Sequence, residues 1–174
     1  MSRMNANPFH LLAWLTTQWQ ALSPIDLGLV AGCVLLLRAS SRLGMWPYAL
    51  VAMPGTLAHE LAHYLVALAL FAKPSFPSLI PQRTAHGWRL GSVTFRAGIA
   101  RALPIALAPF ALMPLALWWA ATQMSPAVGA LYCLHAWIIA ALVSASLPSS
   151  ADFKIALPAL AVITIAAVAY ALLT

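Results

Sequence analysis

The sequence predicts an all-α integral membrane bundle of four to five transmembrane helices, with a short β-hairpin-like insertion. Three observations predict it. Apolar residues fill 63% of the 174 positions while Asp, Glu, Lys and Arg together fill 7%, against about a quarter charged in soluble globular domains. The apolar residues gather into runs near the roughly 20 residues that cross a bilayer as a helix. One extended stretch, Lys73 to Arg101, is comparatively polar, with Leu79, Ile80 and an alternating segment inside it. At this length the expectation is a single membrane-embedded domain, residues 1–174, with no room for a separate soluble one.

Taken in order, residues 1–21 carry an apolar patch around Phe9 to Leu15, followed by Thr16, Thr17, Gln18 and Gln20. They lack a small-residue cleavage site, so a signal peptide is not expected. Trp14 and Trp19 beside these polar residues suit an interfacial segment lying among headgroups. Ser23, Pro24 and Asp26 form a helix start, with Ser23 as N-cap, Pro24 at the first helical position and an acid in the first turn. The apolar run Leu27 to Leu37 follows and ends at Arg38, a first and rather short span.

The second span is expected from about Trp46 to Ala72. Pro47, Pro54 and Gly55 imply a kinked or partly unwound start, tolerated at membrane depth where backbone lines a protected cavity. Within residues 73–101, Thr84 to Trp88 with Gly87, then the alternation Ser92, Val93, Thr94, Phe95, predict a loop or β-hairpin. A third span, about Ala102 to Thr122, contains Pro104, Pro109 and Pro114, each costing about 3 kcal/mol in an isolated helix interior. A bent helix supported by its neighbours is expected. A fourth covers about Ala127 to Leu147, and Leu147-Pro148-Ser149-Ser150-Ala151-Asp152 separates it from a last span ending near Leu173.

Nine Lys and Arg stand against Asp26, Glu60 and Asp152, a net charge of +6. The cations form no dense run, which argues against a nucleic-acid partner, and they read instead as topology signals. With five spans, Arg3, Lys73, Arg83, Arg89, Arg96, Arg101 and Lys154 share one side, leaving Arg38 and Arg42 on the other. The loop 73–101 is therefore expected in the cytoplasm of a bacterial inner-membrane protein. Cys33 and Cys133 show no paired spacing and read as packed thiols.

His59, Glu60 and His63 spell HExxH inside an apolar run, and Glu60 is the only glutamate in the chain. Residues four apart share a helix face, so both imidazoles can reach one metal ion while Glu60 reaches a water on it. A strongly polar side chain at membrane depth costs several kcal/mol unless partnered. Three together call for a shared reason, and Zn²⁺ supplies one. The competing reading is a hydrogen-bonded polar cluster that packs helices.

A catalytic zinc usually has three protein ligands. Candidates for the third are Asp152, Asp26, His86 and His135. Asp152 follows the Pro-Ser-Ser break and is the favoured metal ligand, with helix capping as its competing role. Asp26 is better explained as a cap. His135 falls inside an apolar run, where a bond to a neighbouring helix carbonyl is the simpler reading, and His86 sits at the hairpin turn in solvent.

His59-Glu60-Leu61-Ala62-His63 in a membrane span, a hairpin after it and an acid near the start of a later span resemble the site-2-protease group of intramembrane zinc metalloproteases. Pro148-Ser149-Ser150-Ala151-Asp152 is similar to a PSxxD element of small zincin-like membrane proteins of that broad type. The resemblance covers roughly Pro54 to the end. It implies His59, His63 and Asp152 as zinc ligands, Glu60 as catalytic acid/base, and a transmembrane or membrane-associated protein as substrate. The chain departs from the group in lacking Asn-Pro-Asp-Gly around Asp152, a Gly-Pro-x-x-Asn in the third span and a PDZ domain. Membrane-protein partners and homo-oligomers are compatible with the same reading.

The expected chemistry is hydrolysis of a peptide bond, with edge pairing between Leu79 and Phe95 holding an unwound substrate. One alternative is a metal-binding membrane sensor or complex subunit without hydrolytic activity, which would not need an acid beside its ligands. The other is a transporter, disfavoured because no internal repeat is present.

Overall fold

The computed structural model describes residues 22–84, 87–124 and 126–173. It is mostly helical, with one two-stranded sheet. The interfacial segment expected at 1–21 and the turn residue His86 lie outside the described residues.

Helix α1, Pro24–Ser40, begins as the sequence predicts. Ser23 accepts from the Asp26 amide while Asp26 accepts from the Ser23 amide, a reciprocal capping box. A 3₁₀ turn, Ser41–Leu43, leads to Gly44, whose φ of 115° lies where only glycine is unstrained. The chain then enters α2, Met45–Ala69.

Pro47 falls in the first turn of α2, where its missing N–H is not needed. The unwinding expected at Pro54 does not occur, because α2 runs unbroken through it. Two contacts with α5, Ala130–Ala145, support this stretch. Trp137 Nε1 donates to the Val51 carbonyl at 3.0 Å, one turn before the proline. Gly55 lets the α5 backbone approach so closely that a Cβ there would collide with the Ala141 carbonyl.

Beyond α2 the chain turns at Phe71, held at a left-handed φ of 54°, with Ala72 N–H returning to Ala67 O at 2.8 Å. This is the closure that usually recruits glycine. Strands β1, Gln82–Thr84, and β2, Gly87–Arg89, pair antiparallel with Arg83 opposite Trp88. The arms beyond them stay alongside through a Ser78–Ser92 bridge, Ser75 N–H to Thr94 O and Arg96 N–H to Ala72 O. The expected hairpin is present, although its regular strands are short.

The proline-rich third segment is divided: α3, Ile99–Ala106, a 3₁₀ turn, Ala108–Ala111, α4, Leu112–Trp119, and a π turn, Ala120–Met124. The last helix, α6, covers Ser150–Leu173.

Among the described residues, three helical stretches are long and apolar enough to cross a membrane, Pro24–Leu43, Ile99–Met124 and Ser150–Leu173, consistent with a membrane protein. The sequence led us to expect four to five. α2 falls short in apolarity because it carries His59, Glu60, His63, Gly55 and two prolines. α5 falls short in length, since its 16 residues extend only about 24 Å. These are also the two central helices. The core gathers where α5 meets α1, α2 and α4, around Leu112, Ala116, Met124, Ala136 and Ile139. By contrast α6 buries only Asp152, Ala156 and Ala159, and its remaining length is exposed and apolar.

Candidate metal centre

The site joins the middle of α2 to the first turn of α6. His59 and His63 lie one turn apart on α2, their rings edge to face with centroids 4.8 Å apart. His59 Nδ1 faces the Ala145 carbonyl at 2.8 Å and His63 Nδ1 faces the Ile105 carbonyl at 2.7 Å.

Both carbonyls lack the i+4 backbone donor of a continuing helix, for a local reason. Pro109, four residues after Ile105, has no N–H to offer that carbonyl. Ala145 ends α5, where the last four carbonyls of a helix lack intrahelical donors, and the Ser149 N–H is directed to Asp152 instead.

Carbonyl oxygens only accept, so each Nδ1 carries the ring proton and each neutral Nε2 is left as an acceptor. The two Nε2 atoms nevertheless lie 3.1 Å apart. Asp152 completes the triangle, with Oδ2 at 3.4 Å from His59 Nε2 and Oδ1 at 3.2 Å from His63 Nε2. Three acceptors this close repel unless a cation sits among them. A single proton can bridge two of them and leaves the third unsatisfied. Ligand bonds of 2.0–2.1 Å around a tetrahedral zinc place ligand atoms about 3.3 Å from one another; the closest approaches here are of that order, and one ligand atom from each residue lies within 4.8 Å of the other two. The donor set fits a metal ion, and His59, His63 and Asp152 form a group that could hold one.

Asp152 is placed for both roles that the sequence set against each other, capping and metal ligation. It accepts from the Ser149 amide at 2.6 Å, and its own amide donates to Ser149 Oγ at 3.3 Å. The cap aims the carboxylate while leaving lone pairs for the histidines.

Glu60 is buried beside the group, only 7% exposed. The chain leaving the hairpin closes over it: a Cβ on Gly91 would lie 2.7 Å from Glu60 Cγ and 2.8 Å from Oε1. Any larger residue at position 91 would have to displace the Glu60 side chain. Arg89 on β2 brings a positive charge within reach of Glu60. The sequence singled out neither Gly91 nor Arg89 as part of the site. Pro109, four residues after Ile105, was the legible signal for the freed carbonyl.

Of the other candidates, Asp26 and His135 lie elsewhere. Asp26 is engaged by Ser23 and by the Tyr132 hydroxyl. His135 accepts from Trp119 Nε1 at 3.1 Å rather than bonding a carbonyl. Cys33 and Cys133 are free thiols, the first half-buried and the second exposed. Comparisons with protein-family models, curated proteins and solved structures find no match for this chain.

Proposed function

We propose that this protein is a membrane-embedded zinc metalloprotease of the HExxH type, cleaving membrane-protein substrates within or near the bilayer. The observation that carries the reading is the convergence of His59 Nε2, His63 Nε2 and the two Asp152 carboxylate oxygens, with closest approaches of 3.1 to 3.4 Å, beside the chain's single, buried glutamate. The same residues carry the resemblance to the site-2-protease group. In this reading His59, His63 and Asp152 hold the ion. When bound, zinc supplies an acidified water and polarises a scissile carbonyl.

The remaining work falls to the chain. Glu60 accepts a proton on its carboxylate and returns it to the leaving amine. Gly91, packed on the Glu60 side chain, restricts its rotation and keeps bulk water from that side. The Ile105 and Ala145 carbonyls fix the imidazole tautomers, the orienting role that second partners of metal-bound histidines play.

The reading also places α2 and α5 at membrane depth, giving five crossings. At 25 residues, α2 is about 37 Å long, and its polar residues face protein. Residues 73–101 then lie in the cytoplasm beneath a bacterial inner membrane, on the side that collects most of the cations.

The test combines metal analysis of the purified protein with cleavage of membrane proteins in proteoliposomes. Glu60→Gln is expected to keep about one zinc per chain and to lose cleavage, and His59→Ala to lose both. Full biological activity in Glu60→Gln with loss in His59→Ala would assign a non-hydrolytic metal-binding role. Iron in place of zinc would reject this chemistry, since two histidines and one carboxylate also suit ferrous sites.

A further inference from the structure

We infer that a cleft between residues 73–75 and 94–96 binds the phosphate of an anionic membrane lipid. The cleft is an open depression of about 460 Å³ lined by Lys73, Ser75, Thr94 and Arg96, with Pro74 and Phe95 as apolar walls. It opens beside the end of α2 and just before α3, where a stretch apolar enough to cross a membrane begins. Ser75 Oγ already accepts the Thr94 amide at 3.1 Å, so its own O–H remains to be donated.

Charge accounting makes the cleft an anion site. The sequence has three acidic side chains, and each is committed elsewhere. Asp26 is held by Ser23 and Tyr132, Asp152 faces two histidines, and Glu60 is buried under Gly91. No acidic side chain of this protein is left to neutralise Lys73 and Arg96. Local backbone needs do not explain a lysine here either, because Lys73 sits at a left-handed φ of 49°, where glycine or asparagine is less strained.

Two exposed aromatics identify a lipid as the source of the phosphate. Phe71 and Phe76 flank Lys73 and are 85% and 83% exposed, large apolar rings beside cations at the level where helices leave the bundle. That combination suits acyl chains meeting headgroups, with each basic residue near an anionic surface contributing about 1 kcal/mol. The inference rests on the membrane-embedded reading and is independent of hydrolysis.

The experiment titrates the detergent-purified full chain with fluorescent phosphatidylglycerol and, separately, phosphatidylcholine. Phosphatidylglycerol is expected to bind about tenfold more tightly or better. Lys73→Gln/Arg96→Gln should remove that preference, each single substitution should reduce it, and Arg38→Gln/Arg42→Gln should leave it intact. Unchanged metal content in every variant serves as the folding control. Equal binding of the two lipids, or an unchanged preference in the Lys73/Arg96 variants, overturns the inference. Displacement by inorganic phosphate would reassign the cleft to a free anion, and displacement by an acidic peptide to a protein partner. Failure of the protein to stay with membranes on alkaline extraction would instead overturn the embedded reading itself.

Discussion

Two helices of this protein begin with the same four-residue device and put it to different ends. Ser23 to Asp26 opens α1 and Ser149 to Asp152 opens α6. In each, serine and aspartate exchange hydrogen bonds across the first turn, so the cap fixes where the carboxylate points. What it meets is set by the opposing helix. Asp26 meets the Tyr132 hydroxyl on α5, a donor, and the pair is satisfied. Asp152 meets two Nε2 atoms on α2 whose Nδ1 atoms are taken up by backbone carbonyls, an arrangement that could hold a metal ion. Capping and metal ligation are therefore not competing explanations of an N-terminal aspartate. The partner's hydrogen-bonding sense decides between a structural and a chemical carboxylate.

The largest effect that could break this contrast is on metal content. Asp152→Asn should weaken metal binding at least about 100-fold, more than losing an outer partner of a metal ligand usually costs. Asp26→Asn should leave it unchanged. Elemental analysis after dialysis against a mild chelator reads both. Equal retention in the two variants would mean that Asp152 is no ligand, and equal loss would mean that the two caps are not independent.

How far the sequence reached follows the same division between local and distant physics. The α1 cap, the hairpin and the broken third segment were legible because serine, glycine and proline act within a few residues. The pairing of Asp152 with His59 and His63 was a candidate because acids are scarce, but two of the forces behind it were not local. The Ala145 carbonyl reaches His59 only through the packing of α5 on α2, and Gly91 reaches Glu60 only after the hairpin folds back. Only three of the expected spans stand out by length and apolarity among the described residues, for a related reason. Composition and length cannot register that the polar face of α2 turns inward and that the short α5 is wrapped by other helices.

A middle-sized effect separates aiming from ligating. Ser23→Ala and Ser149→Ala each remove one capping hydrogen bond and should each cost about 1 kcal/mol, read as similar falls in Tm in detergent. Only Ser149→Ala should also weaken the metal, by roughly tenfold, because its hydroxyl helps set the helix turn from which Asp152 projects. The Ser149 amide still holds Oδ2, which keeps the loss well short of that in Asp152→Asn. A metal affinity untouched by Ser149→Ala would show that the amide alone aims the carboxylate.

The smallest effect lies at the other cap. Tyr132→Phe removes the donor facing Asp26 but leaves the Ser23 amide bonded to the same carboxylate at 2.7 Å. Tm should therefore fall by only a few degrees, with no change in metal content. The informative measurement is the double variant. If the hydroxyl stabilises α1 against α5 through the Asp26 charge, Asp26→Asn should cost less in the Tyr132→Phe background than in the parent, the sign of direct coupling. Additive losses would instead mean that the carboxylate acts solely through its own helix, and Asp26 would then be a cap whose opposing partner carries no weight. That outcome would place the whole difference between the two aspartates at α6.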